Sequence, residues 1–88
     1  MTENPDEQRY ELRVDGELIG LADYYDRDGV RVIPHTEVRP SREGQGLGAV
    51  LVRCALDDIR AKGMSVGPAC PFVGHFLRRH PEYADLAH

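Results

Sequence analysis

The chemistry of this chain is concentrated in three short stretches. Glu43-Gly44-Gln45-Gly46-Leu47-Gly48-Ala49 places three glycines at alternate positions, so its backbone N–H groups are bare of side chains. Where such a run opens a helix, unpaired amides and the positive end of the helix dipole hold an anion, and a phosphate-bearing ligand is the expectation. Cys70, directly before Pro71, ends an extended stretch and meets the start of a second helix. A helix N-terminus favours the thiolate, which suits a nucleophile or a group that returns a proton to a leaving thiolate. His35 and Glu37 stand two residues apart, on one face of a strand, where either side chain can serve as a general base.

The elements that position these residues follow from hydrophobic periodicity. Tyr10-Glu11-Leu12-Arg13-Val14 alternates as a half-buried strand does, and Asp15-Gly16 signals a hairpin. Leu18 to Tyr25 is a second strand, and Asp26-Arg27-Asp28-Gly29 a second turn. Val30 to Val38 is a third strand, with Pro34 marking a bulge or break. Beyond the glycine run, Leu47, Val50, Leu51, Cys54, Ala55 and Ile59 recur as one buried helix face, which makes Cys54 a core residue. Lys62 falls in the last turn and Gly63 at the left-handed position beyond it. Met64 to Ala69 returns to strand, and Pro71 opens a helix with Val73, Phe76 and Leu77 inward, which Pro81 stops. Tyr24, Tyr25 and Tyr83 read as packing residues with polar tips. The expectation is an α/β fold with one mixed sheet: an antiparallel meander followed by a β-α-β-α unit.

Length and composition narrow the function. Eighty-eight residues suffice for one domain, expected over 9–88 after a flexible tail at 1–8, as a monomer or weak homodimer. Residues 1–30 hold nine acids against three arginines, and residues 31–88 hold six acids against eight bases. The glycine run thus lies in the half that suits an anion. A single lysine and the lack of a dense basic stripe argue against nucleic acid. No membrane-length apolar run and no signal-like N-terminus are present, and two cysteines make a poor disulfide framework, so a cytoplasmic setting is expected. The spacings among Cys70, His75, His80 and His88 do not gather ligands on one helix face, so no metal is expected.

Among phosphate loops, a Walker loop needs Gly-Lys-Ser/Thr where this chain has Gly48-Ala49. The dinucleotide fingerprint is matched formally by Gly44, Gly46 and Ala49, yet it belongs to a longer parallel fold. The stretch resembles instead the acyl-CoA loop of the GNAT superfamily of N-acetyltransferases, Gln/Arg-x-x-Gly-x-Gly/Ala. Gly46 and Gly48 align with its glycines; its first position falls on Glu43, and Arg42 next door brings a cation. His35-Thr36-Glu37-Val38, Cys70-Pro71-Phe72-Val73 and Arg78-Arg79-His80-Pro81-Glu82-Tyr83 resemble the short, single-domain branch, so the likeness spans about residues 9–86. It implies a minimal GNAT-like fold and acetyl transfer from acetyl-CoA to a primary amine, on a small molecule or a protein lysine. It implies that Val38 aligns the pantetheine arm, and that Arg42, Glu43, Gly44, Gln45, Gly46, Leu47, Gly48 and Ala49 bind the cofactor. Cys70, His35 and Glu37 are its candidate catalytic residues. The alternative is an acyl-CoA sensor or interaction module of the same fold.

Overall fold

A computed structural model describes residues 1–42 and 44–87; Glu43 and His88 lie outside the described residues. The elements run β1 (Thr2–Asn4), β2 (Arg9–Val14), β3 (Glu17–Arg27), β4 (Val30–Val38), α1 (Leu47–Ala61), β5 (Ser65–Gly67) and α2 (Pro71–Arg79). A 3-10 turn at Pro40–Arg42 precedes α1, and a 3-10 helix at Pro81–Leu86 follows α2. One five-stranded mixed sheet keeps chain order, antiparallel throughout except for the parallel β4–β5 pair.

Both hairpins close as the sequence dictates. Asp15-Gly16 and Asp28-Gly29 take positive φ at each central residue, the backbone of a two-residue turn that matches strand twist. The second turn is shorter than the four residues expected, because β3 runs on through Arg27. The bulge expected at Pro34 is present: Asp23 pairs with His35 and Tyr25 with Val32, so Ile33 and Pro34 together face Tyr24.

The core lies on one side of the sheet. Tyr10, Leu12, Ala22, Tyr24 and Ile33 pack against Leu51, Val52, Ala55, Leu56 and Ile59 of α1 and Val73 and Phe76 of α2. Among the described residues no helix covers the opposite face, which carries Arg9, Glu11, Arg13, Leu21, Asp23, Tyr25, His35 and Glu37. Glu11 is nonetheless buried there, hydrogen-bonded by Arg9, Arg13 and Asn4.

Three expectations need correction. Residues 1–8, expected to fray, contain β1, whose Glu3 accepts from Tyr24, Arg31 and Lys62. Long-range partners on β3, β4 and α1 supply what local propensity lacks. The buried stripe of α1 is 51, 52, 55, 56 and 59, leaving Val50 exposed and Cys54 half-buried rather than core. Apolar residues flank the stripe on both sides. Asp58 breaks the tie, because it must face the sheet to accept from the Tyr10 hydroxyl at 2.7 Å. β5 spans three residues rather than the six of Met64 to Ala69, since Pro68 cannot donate and the β4 bulge carries its partner away.

The end of α1 follows the sequence closely. Met64 N–H donates to Ile59 O and Gly63 N–H to Arg60 O, with Gly63 at φ 70°. These are the paired bonds of a Schellman stop.

Candidate functional site

Where β4 and β5 part, the sheet opens. Their pairing ends at Val32–Gly67. Gly67 is crowded there: an added Cβ would lie 3.0 Å from Val32 Cγ2. The chain then swings outward through Pro68 and Ala69 and returns at Cys70, whose N–H donates to the Ile33 carbonyl at 2.9 Å. Beyond that bond the second half of β4, His35 to Val38, has β3 on one edge and the start of α2 near the other.

Cys70 is the N-cap of α2, buried, with Pro71 at the first helical position. Its Sγ lies 3.4 Å from Thr36 Oγ1 on β4. Burial pushes the thiol up. The Thr36 hydroxyl, the amides of Phe72 and Val73 and the Thr36 backbone outweigh it, so the net shift is downward. The helix amides face the sulfur without closing a cap hydrogen bond. The result is a sheltered thiol that holds its proton less tightly than an ordinary cysteine does.

At the other end stands the glycine run. Gly44 and Gly46 take φ of 83° and 74°, and Gly46 is the N-cap of α1 with no side-chain cap. The first intrahelical bond is from Val50 N–H to Gly46 O, so the amides of Leu47, Gly48 and Ala49 precede it and have no acceptor within the helix. The first turn carries no acid. Arg42 approaches it from the 3-10 turn, with Nη2 3.9 Å from Glu17.

A groove of about 640 Å³ joins the two ends. Of the residues read from sequence, Glu37, Val38, Arg42, Gly44, Gly46, Leu47, Gly48, Ala49 and Cys70 line it. By strand alternation the Val38 amide points the same way as that of Thr36, into the groove. His35 and Gln45 are not among its lining residues. His35 and Glu37 do share a face, Nε2 to Oε2 3.7 Å, but it is the bare face of the sheet, opposite the Thr36 side chain. Glu43 lies outside the described residues. Arg78 and Arg79 are exposed on the last turn of α2.

Thr36, Pro40, Leu51 and Phe72 complete the lining and were not singled out from sequence. The signal for Thr36 was present: once the bulge is placed at Ile33-Pro34, period two puts Thr36 and Val38 on the helix side. Phe72 had no such signal, because its place depends on how α2 meets α1.

The remaining candidates serve structure. His80 ends α2, its Nδ1 2.8 Å from Phe76 O and its ring stacked on Phe76 at 3.9 Å. Tyr83 donates to Asp57 at 2.7 Å, while Tyr24 is buried and Tyr25 half exposed. Among the described residues no group of three or more His, Cys, Asp or Glu could hold a metal ion, and no helix is long and apolar enough to cross a membrane.

Acyl-CoA fits this groove on the structure's own terms. Helix amides with no acceptor among the described residues suit a pyrophosphate, a strand edge with no partner strand among them suits a pantetheine amide, and a thiol closes the far end.

Solved structures share the fold. A GCN5-like putative N-acetyltransferase from Staphylococcus aureus superposes with a TM-score of 0.74 at 23% identity, covering 93% of this chain and 82% of that one. The ribosomal-protein-S18-alanine N-acetyltransferase of Escherichia coli gives 0.63 at 20% identity, over 66% of this chain and 38% of that one. The ribosomal-protein-alanine N-acetyltransferase of Brucella melitensis biovar Abortus gives 0.58 at 23% identity, over 91% and 60%. This chain therefore matches well under half the length of the E. coli enzyme. No curated protein matches the sequence. A model of the GCN5-related N-acetyl-transferase family matches residues 9–86, from the first residue of β2 to the end of the last 3-10 helix. With its mixed sheet, its parted strands and its glycine-opened helix, the chain belongs to the GCN5-related N-acetyltransferase family.

Proposed function

We propose that the protein moves an acetyl group from acetyl-CoA to a primary amine, with Cys70 taking part in the chemistry. The observation that carries this reading is one continuous groove running from the first-turn amides of α1 to the Cys70 thiol. Family membership supports acetyl-CoA as co-substrate.

In this reading the amides of Leu47, Gly48 and Ala49 bind the pyrophosphate, with Arg42 beside them. The Val38 amide hydrogen-bonds the pantetheine arm in the manner of an added strand. Cys70 then acts in one of two ways. As thiolate it attacks the thioester carbonyl; the carbon–sulfur bond of the cofactor breaks, CoA leaves as thiolate, and the acetyl group rests on Cys70 for the amine to take. As thiol it gives its proton to the departing CoA thiolate while the amine attacks directly. The amine arrives through the gap between β4 and β5, from the bare face. There His35, or Glu37 3.7 Å away, takes its proton.

A second reading keeps the site and drops turnover: an acyl-CoA sensor. The bare face of the sheet favours it, because among the described residues no helix shapes an acceptor pocket there. Calorimetric titration with acetyl-CoA, with desulfo-CoA for comparison, tests what both readings share. Saturable one-to-one binding is expected, lost in Gly46→Glu. No heat and no thermal stabilisation at millimolar ligand would refute both. Screening lysine peptides and small amines for transfer then separates them.

A further inference from the structure

Gly48 differs from the other glycines of its loop. Gly44 and Gly46 take positive φ and have open space where a Cβ would stand, whereas Gly48 lies inside α1 and is not among the positive-φ residues. What a Cβ on Gly48 would meet is the Phe72 ring, with Cζ at 2.9 Å and both Cε atoms at 3.5 Å. So the Phe72 ring, rather than backbone conformation, is what a side chain at 48 would have to displace. Phe72 is 44% exposed, so it is not there to fill the core. It lines the groove two residues after Cys70, on the first turn of α2. Its ring thus spans from the turn that holds Cys70 to the turn that opens α1.

We propose that Phe72, braced against Gly48, is a positioning residue that sets where Cys70 lies relative to a cofactor anchored on the first turn of α1. The inference rests on the acyl-CoA reading of the groove. The Ile33 carbonyl fixes the Cys70 backbone from the β4 side, and Phe72 fixes it from the α1 side. Removing the ring leaves the anchoring amides intact and frees the first turn of α2 to shift. Adding a methyl at 48 displaces the ring, because Cζ is the far end of a side chain and gives before either backbone does.

The test compares wild type, Phe72→Ala, Gly48→Ala and the double variant Gly48→Ala/Phe72→Leu, in which a smaller side chain meets the added methyl. Two readouts are taken: acetyl-CoA affinity by calorimetry, and the rate of Cys70 alkylation by iodoacetamide with and without saturating desulfo-CoA, which cannot acetylate the thiol, located by peptide mass. In wild type, desulfo-CoA shields Cys70. In Phe72→Ala the affinity holds within about threefold while alkylation of the liganded protein rises at least about tenfold; in Gly48→Ala, read at a ligand concentration that saturates that variant, alkylation rises likewise. The double variant regains shielding, and unliganded alkylation is alike in all four, which a merely unfolded α2 would not give. Shielding retained in both single variants overturns the proposal. So does parallel loss of affinity and shielding in Phe72→Ala, which would make Phe72 a plain binding contact. Absence of acetyl-CoA binding in wild type would instead sink the acyl-CoA reading beneath it.

Discussion

Replacing Thr36 by valine tests the electrostatics of the thiol with little steric change. Valine keeps the branched shape and the place of Thr36 in β4 opposite Ala22, and it removes only the hydroxyl that lies 3.4 Å from Cys70 Sγ. That hydroxyl lowers the thiol's proton affinity by donating to the thiolate, so its loss must move the Cys70 titration upward. A hydrogen bond of about 0.5–1.5 kcal/mol corresponds to about 2- to 13-fold in thiolate population. The amides of Phe72, Val73 and Thr36 remain, and sulfur is a weak acceptor, so the lower part of that range applies. The assay is the pH dependence of iodoacetamide alkylation at Cys70, read by peptide mass so that half-buried Cys54 does not contribute. At neutral pH the variant reacts about two- to fivefold more slowly, with its profile displaced to higher pH and the same plateau. Thermal stability stays near wild type, because valine suits a strand as well as threonine does. An unchanged profile would show that the hydroxyl does not act on the sulfur. A profile displaced to lower pH would mean that the Thr36 hydroxyl opposes the thiolate.

Three further outcomes follow from the same geometry. Arg31→Met removes a buried guanidinium that donates to Asp26 at 2.8 and 3.0 Å, to Glu3 and to the Tyr10 hydroxyl, and lies 3.8 Å from the Tyr24 ring centre. Since Asp26 and Glu3 are partly solvated, the cost is about 2–3 kcal/mol, a fall of about 8–24 °C in Tm; a loss under about 1 kcal/mol would show that the network merely satisfies its members. For Glu3 and Asp58, burial pushes the carboxyl up, but hydrogen bonds from Lys62 and from Tyr24 or Tyr10 prevail, so both sit below their ordinary values of 4.5 and 3.8. Their stabilisation is whole above those values and drains as pH falls through the lower folded ones, so amide protection in β1 fades on acidification; protection unchanged to below pH 3 would contradict it. Cys70→Ser leaves acetyl-CoA binding within about threefold and, if the thiol is the nucleophile, abolishes the one-acetyl mass gain that wild type shows; a gain that persists in the variant would place the acetyl group elsewhere.

The local rules carried most of the architecture. Asp-Gly pairs marked both hairpins, period two marked the meander, Pro34 marked the bulge, and Lys62-Gly63 marked the end of α1. Each is a signal in which the residue type and its neighbours suffice. The errors fall where a distant partner decides. Thr2–Asn4 pairs with β2 across residues 5–8, but its Glu3 is held by Tyr24, Arg31 and Lys62, partners that no window of neighbouring residues contains. The roll of α1 is decided by Asp58, whose partner Tyr10 lies 48 positions away, so the apolar spacing of the helix alone does not fix it. In the groove, the left-handed backbone of Gly44 and Gly46 and the place of Cys70 at a helix start were legible because both are local properties. The faces of Thr36 and His35 were not, since one inserted residue in β4 exchanges them. Phe72 was missed because its partner is 24 positions away in the chain.

The network around Glu3 has a consequence for the order of assembly. The meander needs only near neighbours, with turns of two residues between β2, β3 and β4. The bonds of Lys62 to Glu3 and of Asp58 to Tyr10 close loops of 59 and 48 residues. Loop closure over such distances is slow, and here it cannot precede formation of the last turn of α1. β1 pairs locally with β2, but the bond that ties its Glu3 to α1 is among the last contacts to form. A mutation at Glu3 should leave the folding rate almost unchanged and act chiefly by hastening unfolding.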